Sequence, residues 1–487
     1  MVKYRSIPVE MRASFFFILT GALKDAVDVL TTPIFTRLLT LEEYGLFSVY
    51  NSWYQILRIV ITIYLFGDGF SVGMAHYGED KEGFTSSQQG LATVLFLIWG
   101  LLYMVGKKWA DAVLGMGSTL TVLMLLQSLF TTPFNCWQQK EKYCYHYRTM
   151  TPIIIIYTIL QPLLGIILIK LNKYGFHNGL IRLYSGVGVQ IAFGLAAYFL
   201  QFVRKPVFYQ REYWQFSIKT NVPLVPHYMS QVLLNQSDRL MINAIVGAAQ
   251  TSIYSVAHAA AFMLHMVTAN INSTFVPWLY ENLKQKQIED VRKTTSALSV
   301  LAAIAATVLV LIAPEAMRVL GGGKYSEGKW IIPPLTFSVY LIFIFSLFSD
   351  VELFFGKTLY VLLSSVAGAV CNIFLNYILI PHFGYLVAGY TTVAGYLLMC
   401  VCHYVFLRMT CKKENILLAK LFHIPLICLV AAILAILCGF IMLLYHAPLL
   451  RYGLFMGMIT TIIWKRRSLM VLYHRLKKEN DYCEVNS

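Results

Sequence analysis

The chain has 487 residues, 58% of them hydrophobic and only 13% charged, against roughly 25% charged in an average soluble domain. It therefore reads as an integral membrane protein with no room for a separate soluble catalytic domain. The formal charge of +15 does not indicate nucleic acid, because Lys and Arg are scattered between apolar segments rather than gathered on one polar domain.

With about twenty apolar residues needed per span, fourteen segments are predicted, centred near residues 25, 57, 96, 123, 160, 190, 234, 263, 304, 342, 369, 396, 431 and 456. All should be helices, since only helices or closed barrels satisfy the backbone in lipid. The first segment is interrupted by Lys24, Asp25 and Asp28 and then continues, so a cleavable signal peptide is not expected. Basic residues are biased to one side of the predicted spans, with the largest basic loops around Arg204-Lys205, Lys284 to Lys293 and Arg408 to Lys420, which places both termini in the cytoplasm. The acidic stretch Glu79 to Glu82 fits that side poorly. Nine cysteines show no CxxC pair and read as free thiols.

A weak internal repeat organises the rest. Leu46 to Val49 pairs with Ile253 to Val256 at an offset of 207 residues, which sets Leu39 against Val246 and Arg58 against His265. The copies lie six segments apart, so they share one orientation and predict a pseudo-twofold along the membrane normal. The expected architecture is an all-α polytopic membrane protein of about 14 transmembrane helices. Residues 1–203 form a six-helix lobe, 204–219 a cytoplasmic linker and 220–410 a second six-helix lobe. Residues 411–464 add helices 13 and 14, and 465–487 form a basic tail.

Ionisable groups inside spans mark candidate sites, because each is costly there. Arg58 lies midway along its segment with no acid within a turn; its planar fork suits an anionic substrate, and a buried acid such as Asp25, Asp28 or Asp238 is the structural alternative. Lys24, Arg37 and Arg239 are the other candidate cavity cations. Lys24 and Asp28 share a helix face and could neutralise each other, while the adjacent Asp238 and Arg239 cannot both face one neighbour. Asp25, Asp28, Asp238 and His265 are candidates for H+ or Na+ coupling; no other cofactor and no metal is expected. Pro33, Pro162, Pro277 and Pro381 would let their spans bend. Gly321 to Lys324 has no strand or helix pattern around it to make a phosphate loop, and no catalytic set is evident, so an enzyme is not expected.

The stretch Arg37-Leu-Leu-Thr-Leu-Glu-Glu-Tyr-Gly-Leu-Phe-Ser48 resembles the turn after the first helix in the polysaccharide-transporter, or Wzx-type flippase, family of the multidrug/oligosaccharidyl-lipid/polysaccharide exporter superfamily. Asp238-Arg-Leu-Met-Ile-Asn-Ala-Ile-Val-Gly followed by Ile253 to Val256 is similar to the matching second-half turn. Thr40 and Leu41 depart from it, standing where the family more often has Gly and Pro. The resemblance implies a bacterial inner-membrane flippase that moves an undecaprenyl-diphosphate-linked oligosaccharide to the periplasmic leaflet for O-antigen, capsule or exopolysaccharide assembly. It also implies membrane lipids and polysaccharide polymerase machinery as partners. A cation-coupled drug or metabolite exporter of the same superfamily is the alternative, and would favour an acidic cavity.

Overall fold

The computed structural model describes residues 8–464. The tail at 465–487, with Cys483, lies outside them. Among the described residues there is no strand. The chain runs α1 Val9–Leu38, α2 Leu41–Thr62, α3 Asp68–His76, α4 Lys81–Leu114, α5 Ser118–Tyr143, α6 Tyr147–Lys170, α7 Asn178–Arg204, α8 Arg211–Asn221 and α9 Val225–Ile245. It continues with α10 Ala248–Lys284, α11 Ile288–Leu311, α12 Ala313–Gly321, α13 Ile332–Phe354, α14 Thr358–Phe383, α15 Ala388–Lys413, α16 Leu418–Leu421, α17 Ile424–Leu443 and α18 Pro448–Trp464.

Each of the fourteen expected centres falls inside one long helix. Nine helices among the described residues are long and apolar enough to cross a membrane: α4, α6, α7, α10, α11, α13, α14, α15 and α17. The other five are shorter or more polar, and α1 and α9 are the helices that carry Lys24, Asp25, Asp28, Asp238 and Arg239.

The repeat is visible in the helix boundaries. α1 ends at Leu38 and α2 starts at Leu41; α9 ends at Ile245 and α10 starts at Ala248, each 207 residues later (245 − 38, 248 − 41). The two turns are built differently. In the first, the Thr40 side chain accepts from the Glu43 N–H at 3.2 Å, and Glu43 Oε2 accepts from the Thr40 N–H at 2.9 Å. This capping box satisfies two otherwise orphaned donors. In the second turn Gly247 takes φ 127°, a conformation open to glycine. The copies then diverge: α2 stops at Thr62, whereas α10 continues to Lys284.

The chain forms two compact units, dividing between Ser252 and Ile253, within α10. In sequence terms the division was expected at 204–219. The difference arises because α9 packs along α2 in the first unit, with Leu240 of α9 against the cluster of Val49, Tyr50 and Tyr54. Within that unit α5 packs on α7 and α4, α7 on α6, and α6 on α1. Gly194 lets α7 approach α5 so closely that an added Cβ would sit 1.9 Å from the Phe130 carbonyl oxygen, the small-residue contact typical of helices that meet in lipid. The second unit is built on α13, α14 and α15, with α17 against α11.

Residues 204–219 are not a free linker. α8 lies on α3 and α4, with Tyr213 and Phe216 joining Phe70, Tyr77 and Phe84 in one aromatic cluster. The poorly fitting acids of 79–82 are explained by the same contacts. Asp80 accepts from Lys205 Nζ at 2.8 Å, Tyr213 Oη at 2.9 Å and the Gly83 N–H at 3.0 Å, while Glu82 takes Lys140 Nζ at 2.8 Å. The acidic loop therefore lies with the basic ends of α5 and α7.

Partial burial tends to raise the Asp80 carboxyl pKa, but the Lys205, Gly83 and Tyr213 hydrogen bonds outweigh it and hold the group below the usual carboxylate range. Burial, and then the Asp80 carboxylate, push Tyr213 up to about 12. Because its folded pKa is depressed, ionised Asp80 contributes stability that is present above the unfolded pKa, about 3.9, and is lost as pH falls through the folded value. Asp80→Asn should melt below wild type at pH 7, and the gap should close as pH drops through and below about 4. Melting curves of both proteins from pH 7 to 3 check this; a gap independent of pH would contradict it.

Candidate functional site

Two arginines in the first unit are held among aromatic rings. Arg58, on the last turns of α2, is half-buried, and its guanidinium carbon lies 6.0 Å from the Tyr54 centroid, 6.0 Å from Tyr64 and 5.5 Å from Phe66. Tyr64 and Phe66 return to it because the chain reverses directly after the helix, with Ile63 at φ 43° and Tyr64 at φ 51°. A left-handed β-branched residue is costly, and strain of this kind collects at functional sites. Arg58 makes no ion pair among the described residues, so the acid partner allowed by the sequence is not there. Its Nε is buried with no hydrogen-bond partner. The Arg58 guanidinium thus keeps one unspent donor among aromatic rings.

The second arginine, Arg182 of α7, was not singled out from the sequence. It is the fifth residue of α7, close to the helix start. Its guanidinium carbon stands 3.6 Å from the Phe47 centroid, 3.9 Å from Phe35 and 4.8 Å from Tyr44, distances at which the ring faces attract a cation. It also acts electrostatically on Asp28 of α1, together with Lys24 and Asp25. Three helices thus meet around one cation.

Between these arginines a line of amides crosses the unit. Tyr50 Oη donates to Gln127 at 2.8 Å, Gln127 to Gln190 at 2.7 Å, Gln190 to Gln161 at 2.8 Å, and Gln161 to the Tyr157 carbonyl at 3.1 Å. It ties α2, α5, α7 and α6. Only the contacts reveal it, since a lone Gln in an apolar span has no sequence signature.

The remaining predicted residues separate. Lys24 and Asp28 are exposed on α1, and Lys142 of α5 lies within electrostatic reach of Lys24. Arg37 is exposed and donates to the Pro33 carbonyl at 2.6 Å. Arg239 donates to Gln236 Oε1 at 2.7 Å and to the Asn235 carbonyl at 3.1 Å; Gln236 also receives Ser52 Oγ of α2 at 3.0 Å. Asp238 is buried. His265 belongs to the second unit, edge-on to Phe262 at 5.1 Å. That unit holds a further pair the sequence did not reveal: Glu352 of α13 and His403 of α15, both fully buried and joined at 2.9 Å.

Nine long apolar helices among the described residues define a multi-pass membrane protein. Its fold is that of known transporters: the inward closed conformation of the lipid II flippase MurJ matches 94% of this chain and 99% of its own, with TM-score 0.67 and 12% identity. An inward-facing multidrug resistance MATE family transporter of the MOP superfamily matches 82% of this chain and 95% of its own, with TM-score 0.53 and 14% identity. Lsg locus protein 1 of Haemophilus influenzae is 21% identical over 349 residues, covering 68% of this chain and 81% of that protein. Residues 11–283, more than half the chain, match the family described as polysaccharide biosynthesis protein. The chain belongs to that family.

Proposed function

We propose that this protein is a flippase that carries an undecaprenyl-diphosphate-linked oligosaccharide from the cytoplasmic to the periplasmic leaflet of the bacterial inner membrane. Both termini face the cytoplasm, and the cycle is one of alternating access. The observation that carries this reading is the buried, hydrogen-bond-free Nε of Arg58 within its aromatic cage. A diphosphate would offer the acceptor that this Nε lacks, and the neighbouring rings are surfaces on which a sugar or isoprene unit would pack. The family membership and the MurJ-like fold support the same direction. The orientation is supported by the gathering of Lys140, Arg204 and Lys205 at one end of the first unit. Lys24, Arg37 and Arg239 are the further candidate substrate-binding cations, with Arg182 added from the structure, and Asp25, Asp28, Asp238 and His265 are the groups through which H+ or Na+ would couple.

The test is reconstitution. Purified protein in sealed vesicles should move a fluorescent undecaprenyl-diphosphate oligosaccharide out of reach of a membrane-impermeant quencher, and empty vesicles should not. Imposed H+ or Na+ gradients then identify the coupling ion. Transport of a cationic dye with no movement of the lipid-linked oligosaccharide would replace this reading with that of a drug exporter.

A further inference from the structure

The first unit contains a second binding feature, at the end where α5 stops and α6 begins. A cleft of about 930 Å³ opens there, with Arg12 of α1, Arg148 of α6 and Arg204 of α7 at its rim. Its floor is Phe134, Trp137, Ile153, Phe193 and Leu200. The rings of Phe134, Trp137 and Phe193 are packed on one another with centroids 5.5 and 5.7 Å apart.

The cleft is graded along the axes of the helices that line it. Arg204 is the last residue of α7, and Arg12 and Arg148 lie within the first turn or so of their helices. Trp137 lies six residues inside the end of α5, and Phe193 eleven inside the end of α7. At 1.5 Å per residue these are roughly 9 and 16 Å deeper. The cavity therefore passes from the level of lipid headgroups into the hydrocarbon region, charged at one end and apolar at the other.

The charge balance favours an anion. Glu82 and Glu141 also line the cleft. Both are engaged by Lys140, at 2.8 and 3.7 Å, and Glu141 also by His146 at 2.9 Å. Among the described lining residues three arginines stand beside these two carboxylates, and Lys140 adjoins them. Arg204 reaches Glu82 at 3.9 Å, and Arg148 donates to Tyr147 Oη at 3.4 Å. The Arg204 contact is a long one that a phosphate would displace at little cost.

We propose that this cleft binds an anionic phospholipid of the cytoplasmic leaflet, with its phosphate among the three arginines and one acyl chain along the aromatic floor. Basic clefts between helices on the cytoplasmic side select such headgroups. The proposal rests on the orientation given above and not on the identity of the transported substrate.

Delipidated full-length protein, titrated with dioleoylphosphatidylglycerol or dioleoylphosphatidylcholine and read by native mass spectrometry, tests it. Wild type should retain the anionic lipid in preference to the zwitterionic one. Arg12→Gln and Arg148→Gln should each weaken retention roughly fivefold. Ala196 lines the cleft and is exposed, so Ala196→Trp should block the chain slot and remove one bound lipid without lowering the melting temperature. Equal retention of both lipids would overturn the proposal, as would variants that hold lipid like wild type. So would a site that takes undecaprenyl phosphate in preference to phosphatidylglycerol, since the cleft would then serve the substrate. The readout is lipid retention, so its failure leaves the flipping assay intact.

Discussion

Arg58→Ala is expected to abolish polymer at the surface of a host that depends on this gene, with lipid-linked precursor accumulating on the cytoplasmic side. Truncating one partner of a desolvated charge pair costs about 2–5 kcal/mol, roughly 30- to 5000-fold in transport. Arg58→Lys should retain partial function. It keeps the charge but loses the planar fork and the stacking on Tyr54, Tyr64 and Phe66. Surface polymer and precursor should be measured at matched membrane abundance of each variant. Normal export by the Ala variant at that abundance would make Arg58 a packing residue and remove the support for a cationic site.

The second large effect concerns stability. Glu352 and His403 are both fully buried and hydrogen-bonded at 2.9 Å, with the imidazole stacked on Phe345 at 5.4 Å. Removing one member leaves the other desolvated and alone, which costs about 3–5 kcal/mol for a buried ion pair. His403→Ala and Glu352→Ala should therefore each sharply lower the melting temperature of the purified protein. Glu352→Gln, which can still accept from Nδ1, should lose much less. The double substitution Glu352→Leu with His403→Leu should cost less than the sum of the single ones, because neither leaves an orphan. Single variants within about 0.5 kcal/mol of wild type would show that the contact is energetically neutral.

Much of this architecture was legible in the residues. Long apolar runs have one solution in lipid, so all fourteen expected centres fall within long helices, and the repeat's offset recurs at the helix ends, 38 with 245 and 41 with 248. Arg58 stood out as a cation in an apolar run with no acid within a turn, costly wherever it faces, although α2 ends four residues after it, at Thr62, and so does not hold it midway. These are local properties, set by hydropathy, charge and turn chemistry along the chain.

Tertiary structure decided which faces meet. Thr62 and Ile63 do not announce that α2 will stop and turn Tyr64 and Phe66 back onto Arg58. Arg182 gained its role only when Phe35 and Phe47, from two other helices, closed over it. Glu352 and His403 are 51 residues apart and meet because α13 packs on α15. In an apolar span nearly every face is hydrophobic, so the periodicity that tells inside from outside in a soluble helix is weak. The amino-acid sequence alone determined the helices, the repeat and the cost of Arg58; the partners of each polar group were set by long-range packing, which hydropathy along the chain does not encode.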